Sequence, residues 1–118
     1  MRHQLLISVI FPLFLAACDD VEPAQTDELA FQRAWAQSWC ERQEECALAD
    51  FEAKWTDVTE CTDAKANLAE FNGSWGDLIC GDFDKAAGDT CVTSVRGLTC
   101  EAWSDEDWQT ECLLVYGC

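Results

Sequence analysis

Nine cysteines are distributed over 118 residues, and no two lie closer than six positions apart. Eight of them, Cys40, Cys46, Cys61, Cys80, Cys91, Cys100, Cys112 and Cys118, fall in the C-terminal two thirds of the chain. An even set of thiols in a small exported domain predicts four disulfides, and each bridge holds two segments within a Cα separation of about 7 Å. Zinc ribbons and redox dithiols instead use Cys-x-x-Cys, in which two thiolates on one turn converge on an ion or share a proton. The shortest spacing here is Cys-x5-Cys, so the eight are read as staples, with no metal and no cofactor expected. They admit on the order of a hundred connectivities, and the spacing does not select one. Geometry removes a little: on one continuous helix Cys40 and Cys46 would be separated by a rise of about 9 Å, so each would have to bridge to another segment.

The ninth cysteine, Cys18, sits at the end of a different kind of segment. Arg2 precedes an apolar run from Leu5 to Ala17 that contains Pro12. A bilayer span takes about 20 apolar residues, so this shorter run reads as an export signal covering residues 1–17, removed on maturation. The sequence Leu15-Ala16-Ala17-Cys18 resembles the lipobox of bacterial lipoproteins. That resemblance implies diacylglycerol on the Cys18 sulfur, cleavage before Cys18, and a further acyl chain, such as palmitate, on the new amino group. Each buried methylene contributes about 0.8 kcal/mol, so two or three chains hold a small protein at a membrane without a transmembrane helix. Asp19 and Asp20 resemble the signal that keeps lipoproteins in the inner membrane of enteric bacteria. The expectation is an extracytoplasmic, lipid-anchored protein of the cell envelope, with the membrane and leaflet left open. Residues 18–26 are polar, contain Pro23 and show no periodicity; they read as a tether reaching at most about 28 Å beyond the anchor.

Removing residues 1–17 takes away Arg2 and no acid, so the net charge moves from −16 to −17. It also takes away His3, the single histidine, and with it every His-based catalytic or metal-binding arrangement. A mature chain with 23 acids against 6 Lys and Arg excludes nucleic acid as a partner, since phosphates require concentrated positive charge. Asp82-Phe-Asp84-Lys-Ala-Ala-Gly-Asp89 has alternating acids, but the sixth and twelfth positions of a calcium loop would be Ala87 and Thr93 instead of glycine and glutamate. With so many acids, carboxylate pairs of the kind used by glycosidases arise by chance. The chain is read as non-catalytic, a small hydrolase being the least favoured reading.

Residues 27–118 are expected to form one domain, because a chain of this length builds one modest core. Phe31, Trp35 and Trp39 recur every four residues and predict a helix from Asp27 to Cys46. Ala47 to Thr56 reads as a loop with one helical turn. Asp57-x-x-Glu60 suits a helix start, with Cys61, Ala64, Leu68 and Phe71 following and Asn72-Gly73 as the stop. Gly73 to Gly81 reads as a loop tucked down by Trp75, Leu78 and Ile79. A third helix is expected from Asp82 or Asp84 to Gly97, and a fourth after Ser104, taken as its cap, carrying Trp108 and Cys112. Strict alternation never lasts, so strands are not expected. The predicted architecture is a compact, all-α, four-helix domain stapled by disulfides and joined by irregular loops.

The pattern Cys80-x-x-Phe83-Asp84-x6-Cys91-x8-Cys100, closed by Cys112-x5-Cys118, resembles small Cys-rich lipoproteins of myxobacteria and related bacteria over roughly residues 40–118. It carries over no catalytic residue. Plant lipid-transfer proteins also place eight cysteines on four helices, but their Cys-Cys and Cys-x-Cys pairs are missing here. Trp75, Trp103 and Trp108 lie in or beside predicted loops, where tryptophan also marks binding faces, and are the candidate binding residues. The leading expectation is an interaction or structural module with a protein partner in the envelope. The alternative is a binder of glycan, lipid or divalent cation through those tryptophans or the acids.

Overall fold

The computed structural model describes residues 23–118; the expected signal peptide 1–17, the lipidation site Cys18 and residues 19–22 of the expected tether lie outside the described residues. The described chain forms seven helices: α1 Pro23–Cys46, α2 Leu48–Lys54, α3 Val58–Ala66, α4 Leu68–Trp75, α5 Lys85–Arg96, α6 Cys100–Ser104 and α7 Trp108–Glu111. A 3-10 turn, Gly76–Leu78, follows α4, and there is no strand among the described residues. The domain is all-α and stapled by disulfides, as the cysteine count and the helical periodicity predict.

The helix count and several boundaries differ from the sequence reading. α1 begins at Pro23, inside the predicted tether; a proline at the first helical position gives up an N–H that has no intrahelical partner anyway. The predicted second helix is two helices. Asn67 adopts an extended ψ of 135°, caps α4 by accepting from the Ala69 N–H at 3.1 Å, and turns the chain between α3 and α4. α4 then runs past Asn72-Gly73 to Trp75 and stops at Gly76, whose positive φ of 20° few other residues adopt. Ser104 is the last residue of α6, not a cap: Thr99 caps α6, and the chain reverses into α7 through Glu106 in the left-handed region. Two expected helix starts are found, the second at Asp84, one of the two positions offered for it. Asp57 caps α3, with Glu60 accepting from the Thr56 N–H at 3.0 Å, and Asp84 caps α5, which ends at Gly97.

α1 is the central element, with α3 and α5 packed along it, α2 and α6 against its C-terminal half, and α7 on α5. The main core gathers Phe31 and Trp35 from α1, Phe71 and Trp75 from α4, Val92 and Val95 from α5, Trp108 from α7, and Val115 and Tyr116 from the C-terminal turns. The aromatic rings meet mostly edge to face; Trp35 approaches Phe71 at 5.6 Å and 90°, and Phe31 approaches Trp75 at 5.5 Å and 82°. A second, smaller cluster of Cys40, Phe51 and Cys61, bordered by Trp39, Trp55 and Val58, joins α1, α2 and α3. Gly88 lets α5 press against the aromatic layer. A Cβ there would lie 3.0 Å from Phe31 and 3.1 Å from Phe83.

All eight cysteines from Cys40 onward are bridged: Cys40–Cys61, Cys46–Cys100, Cys80–Cys118 and Cys91–Cys112. α1 does continue to Cys46, and Cys40 and Cys46 bridge to α3 and α6 respectively, as the helical rise requires. The C-terminal turns are held to the segment before α5 by backbone bonds from Cys80 N–H to Tyr116 O and from Asp84 N–H to Val115 O, at 3.1 and 2.8 Å.

Candidate binding surfaces

The three candidate tryptophans do not form a binding face. Trp75 is fully buried and stacked on Phe71, with centroids 5.3 Å apart and planes 16° apart. The reason is local: α4 extends to residue 75, which puts Trp75 one turn beyond Phe71 on the same inward face. Trp108 is 4 % exposed, at the start of α7, and lies 5.1 Å from Trp35 and 5.3 Å from Trp75. These two indoles fill the core, which corrects their reading as loop residues open to a ligand. Trp103 is half-buried, tilted on Trp39 at 5.4 Å, and the Lys65 ammonium lies 4.2 Å from the Trp39 centroid. Partial burial, with a smaller effect of Lys54, lowers the Lys65 pKa, and the Trp39 ring supplies a cation–π contact that favours the charged form. Leu78 also packs on the main core, whereas Ile79, expected to tuck in beside it, is 40 % exposed.

The bridges differ in setting. Cys40, Cys61, Cys91 and Cys112 are fully buried, whereas Cys80, Cys118 and Cys100 are exposed and Cys46 is half-buried. The buried pair Cys91–Cys112 ties α5 to the residue after α7 inside the main core. Among the described residues no group of three or more His, Cys, Asp or Glu side chains is arranged to hold a metal ion.

A groove of about 360 Å³ lies between the N-terminal half of α1 and the outer face of α5. Ala30, Phe31, Ala34, Phe83 and Val92 supply apolar lining, and Asp27, Lys85, Asp89, Thr93 and Arg96 are polar. Lys85 donates to Asp89 at 3.1 Å, one turn along α5. That hydrogen bond and charge, with Asp27 nearby, raise the Lys85 pKa. Arg96 makes no ion pair among the described residues. The spacing of 85, 89, 92/93 and 96 is a helical stripe, so this signal was present in the sequence. What the sequence could not supply was the opposing wall from α1, many residues away.

Beside the groove, Tyr116 closes the core. Its hydroxyl donates to Glu28 at 3.1 Å and accepts from the buried Gln32 amide at 3.5 Å. No family model, curated protein or solved structure matches this chain. The functional reading therefore rests on the residues and their geometry. Most charged side chains of the domain are exposed acids, and the three ion pairs among the described residues, Arg33–Asp63, Arg42–Glu45 and Lys85–Asp89, leave most of those acids without a cation. Such a surface can attract a basic partner by long-range steering.

Proposed function

We propose that the chain is a lipid-anchored, extracytoplasmic and non-catalytic module that presents a rigid acidic domain to a protein partner in the cell envelope. One observation carries this reading: the four bridges account for every cysteine beyond Cys18. A chain with that pairing needs an oxidising compartment, and it has one cysteine left over, at the position where the lipobox-like sequence ends. The domain follows within a few residues of that anchor. Its unpaired acids oppose anionic headgroups, which turns the domain outward and leaves its charge available to a partner of opposite sign.

The test is made in membranes of the native host. Wild-type protein is expected in the detergent phase, with an intact mass that includes acyl chains on the N-terminal cysteine; Cys18→Ser is expected in the aqueous phase. Crosslinking is expected to capture a discrete protein, with a yield that falls as salt rises. An unacylated Cys18, or Cys18→Ser that stays in the detergent phase, overturns the anchor. Salt-insensitive crosslinking overturns the charge-led interaction.

The groove between α1 and α5 favours a second reading, ligand binding. Its apolar floor suits a small amphiphile such as a lipid, in preference to a glycan stacked on tryptophan; Lys85 at the edge is already held by Asp89, which leaves Arg96 as the cation for an anionic headgroup.

A further inference from the structure

We infer that Cys46–Cys100 is a thiol–disulfide exchange site, opened by an external protein dithiol, with Arg42 stabilising the Cys46 thiolate as it leaves. The extracytoplasmic location of that dithiol rests on the proposed function; the chemistry of the bridge does not. Two features set this bridge apart. Its outer sulfur belongs to an exposed residue, Cys100, at the start of α6, whereas its inner sulfur belongs to half-buried Cys46 at the end of α1. Arg42, one turn before Cys46, places Nη2 3.2 Å from Cys46 Sγ and 3.7 Å from Cys100 Sγ. Its side chain is only 14 % exposed, and Nη1 is fixed by Glu45 at 2.6 Å. The buried Nε of Arg42 has no hydrogen-bond partner, so the guanidinium is incompletely compensated in the oxidised protein.

A cation against a sulfur favours the thiolate, and a disulfide breaks faster when the departing thiol is the more acidic one. The arrangement gives the reaction a direction. The incoming thiolate attacks the sulfur of the exposed residue Cys100, the Sγ–Sγ bond breaks, and the electron pair leaves on Cys46 beside Arg42. The second thiolate of the dithiol then attacks its own sulfur in the mixed disulfide and releases Cys100. The external dithiol ends as a disulfide, and its two protons reside on Cys46 and Cys100.

Cys80–Cys118, with both residues exposed, is the more open bridge and serves as the internal comparison. There the sulfurs face oxygen: Cys118 Sγ lies 3.1 Å from Leu78 O, and Cys80 Sγ lies 3.7 Å from Asp77 O. Carbonyl dipoles pointing at a sulfur oppose a negative charge on it. Exposure alone would open both bridges; the guanidinium selects one. Opening it frees the start of α6 from the end of α1 and leaves the Trp39–Trp103 contact to hold α6 in place.

The experiment uses the oxidised full chain in detergent, a single equivalent of dithiothreitol, acid quenching at intervals, alkylation with N-ethylmaleimide and peptide mapping by mass. Cys46 and Cys100 are expected to be alkylated first, several-fold ahead of Cys80 and Cys118. Arg42→Gln is expected to slow that opening by about 3–10-fold, with Arg42→Lys close to wild type, and to leave the Cys80–Cys118 rate unchanged. Glu45→Gln, which removes the competing carboxylate, is expected to act in the opposite direction and supplies a test should Arg42→Gln fail to fold. Opening of Cys80–Cys118 as fast as Cys46–Cys100 overturns the inference, as does an unchanged rate in Arg42→Gln or a slower one in Glu45→Gln.

Discussion

Tyr116 is the single tyrosine of the chain, and its ring touches Phe31, Phe71, Trp75 and Phe83 with centroids 5.6 to 6.4 Å away. Burial pushes its pKa up to about 12; the Gln32 amide acts in the opposite direction, and the Glu28 carboxylate adds to the rise by charge and by hydrogen bond. An unfolded tyrosine titrates near pH 10, so the fold favours the neutral phenol. The stability this contributes is fully present below about pH 10 and is lost as pH rises through about 12. With no other phenol present, phenolate absorbance reads the residue directly. The native midpoint is expected near 12 and the denatured one near 10; a native midpoint near 10 would place the ring in water. None of this was legible in the sequence, because the Glu28 partner is 88 positions away and Tyr116 stands in no periodic pattern. Trp75 and Trp108 failed for a related reason. A tryptophan next to a glycine-rich or acidic turn looks exposed until the end of its helix and its packing partners are known, whereas Trp35, inside the unbroken series Phe31, Trp35, Trp39, is fully buried, as a helical stripe of that kind implies.

At the level of elements, hydrophobic periodicity located α1, α3 and α5 but gave only one turn of α2 and nothing of α6, and it did not register the break between α3 and α4. Cys61, Ala64, Leu68 and Phe71 keep three- and four-residue spacings across Asn67, so the pattern reads as one helix. The turn at Asn67 sends the two halves to different places. Cys61 faces Phe51 in the small cluster, Phe71 enters the main core, and Leu68, part of the same apolar pattern, is 63 % exposed. Caps with side-chain chemistry, Asp57 and Asp84, were readable because they precede apolar runs; Asn67 was hidden inside one. Its side chain satisfies the Ala69 N–H and its own N–H bonds Ala64 O at 3.3 Å. Asn67→Ala is expected to lower stability by about 1 kcal/mol, seen as a shifted urea midpoint with an unchanged slope, and Asn67→Asp to retain most of it. A neutral or stabilising Asn67→Ala, as fusion of α3 and α4 into one helix would produce, would show that packing and not the cap holds the turn.

For the whole molecule, the question is what holds so acidic a chain together. Like charges dispersed over the surface repel and favour the expanded chain, and the core of a domain this size leaves little margin against them. The bridges act on that expanded chain, which is the state repulsion favours. With sequence separations of 21, 54, 38 and 21, each removes loop entropy from the unfolded ensemble equivalent to about 3–4 kcal/mol, and because the loops overlap the four are not additive. One such contribution is a large fraction of the 5–15 kcal/mol that separates folded from unfolded domains. The buried bridges also fill space: once Cys91–Cys112 is cut, two thiols must fit where one bonded pair was packed among Val92, Val95 and Trp108. Loss of Cys46–Cys100 alone is therefore expected to leave the near-UV signal of the core tryptophans intact, since that bridge lies outside both apolar clusters. Complete reduction and alkylation is expected to abolish the signal, with the loss sharper at low ionic strength, where repulsion is unscreened. A fully alkylated chain that keeps its near-UV tryptophan spectrum would mean that the aromatic core suffices by itself and that the bridges are dispensable to the fold.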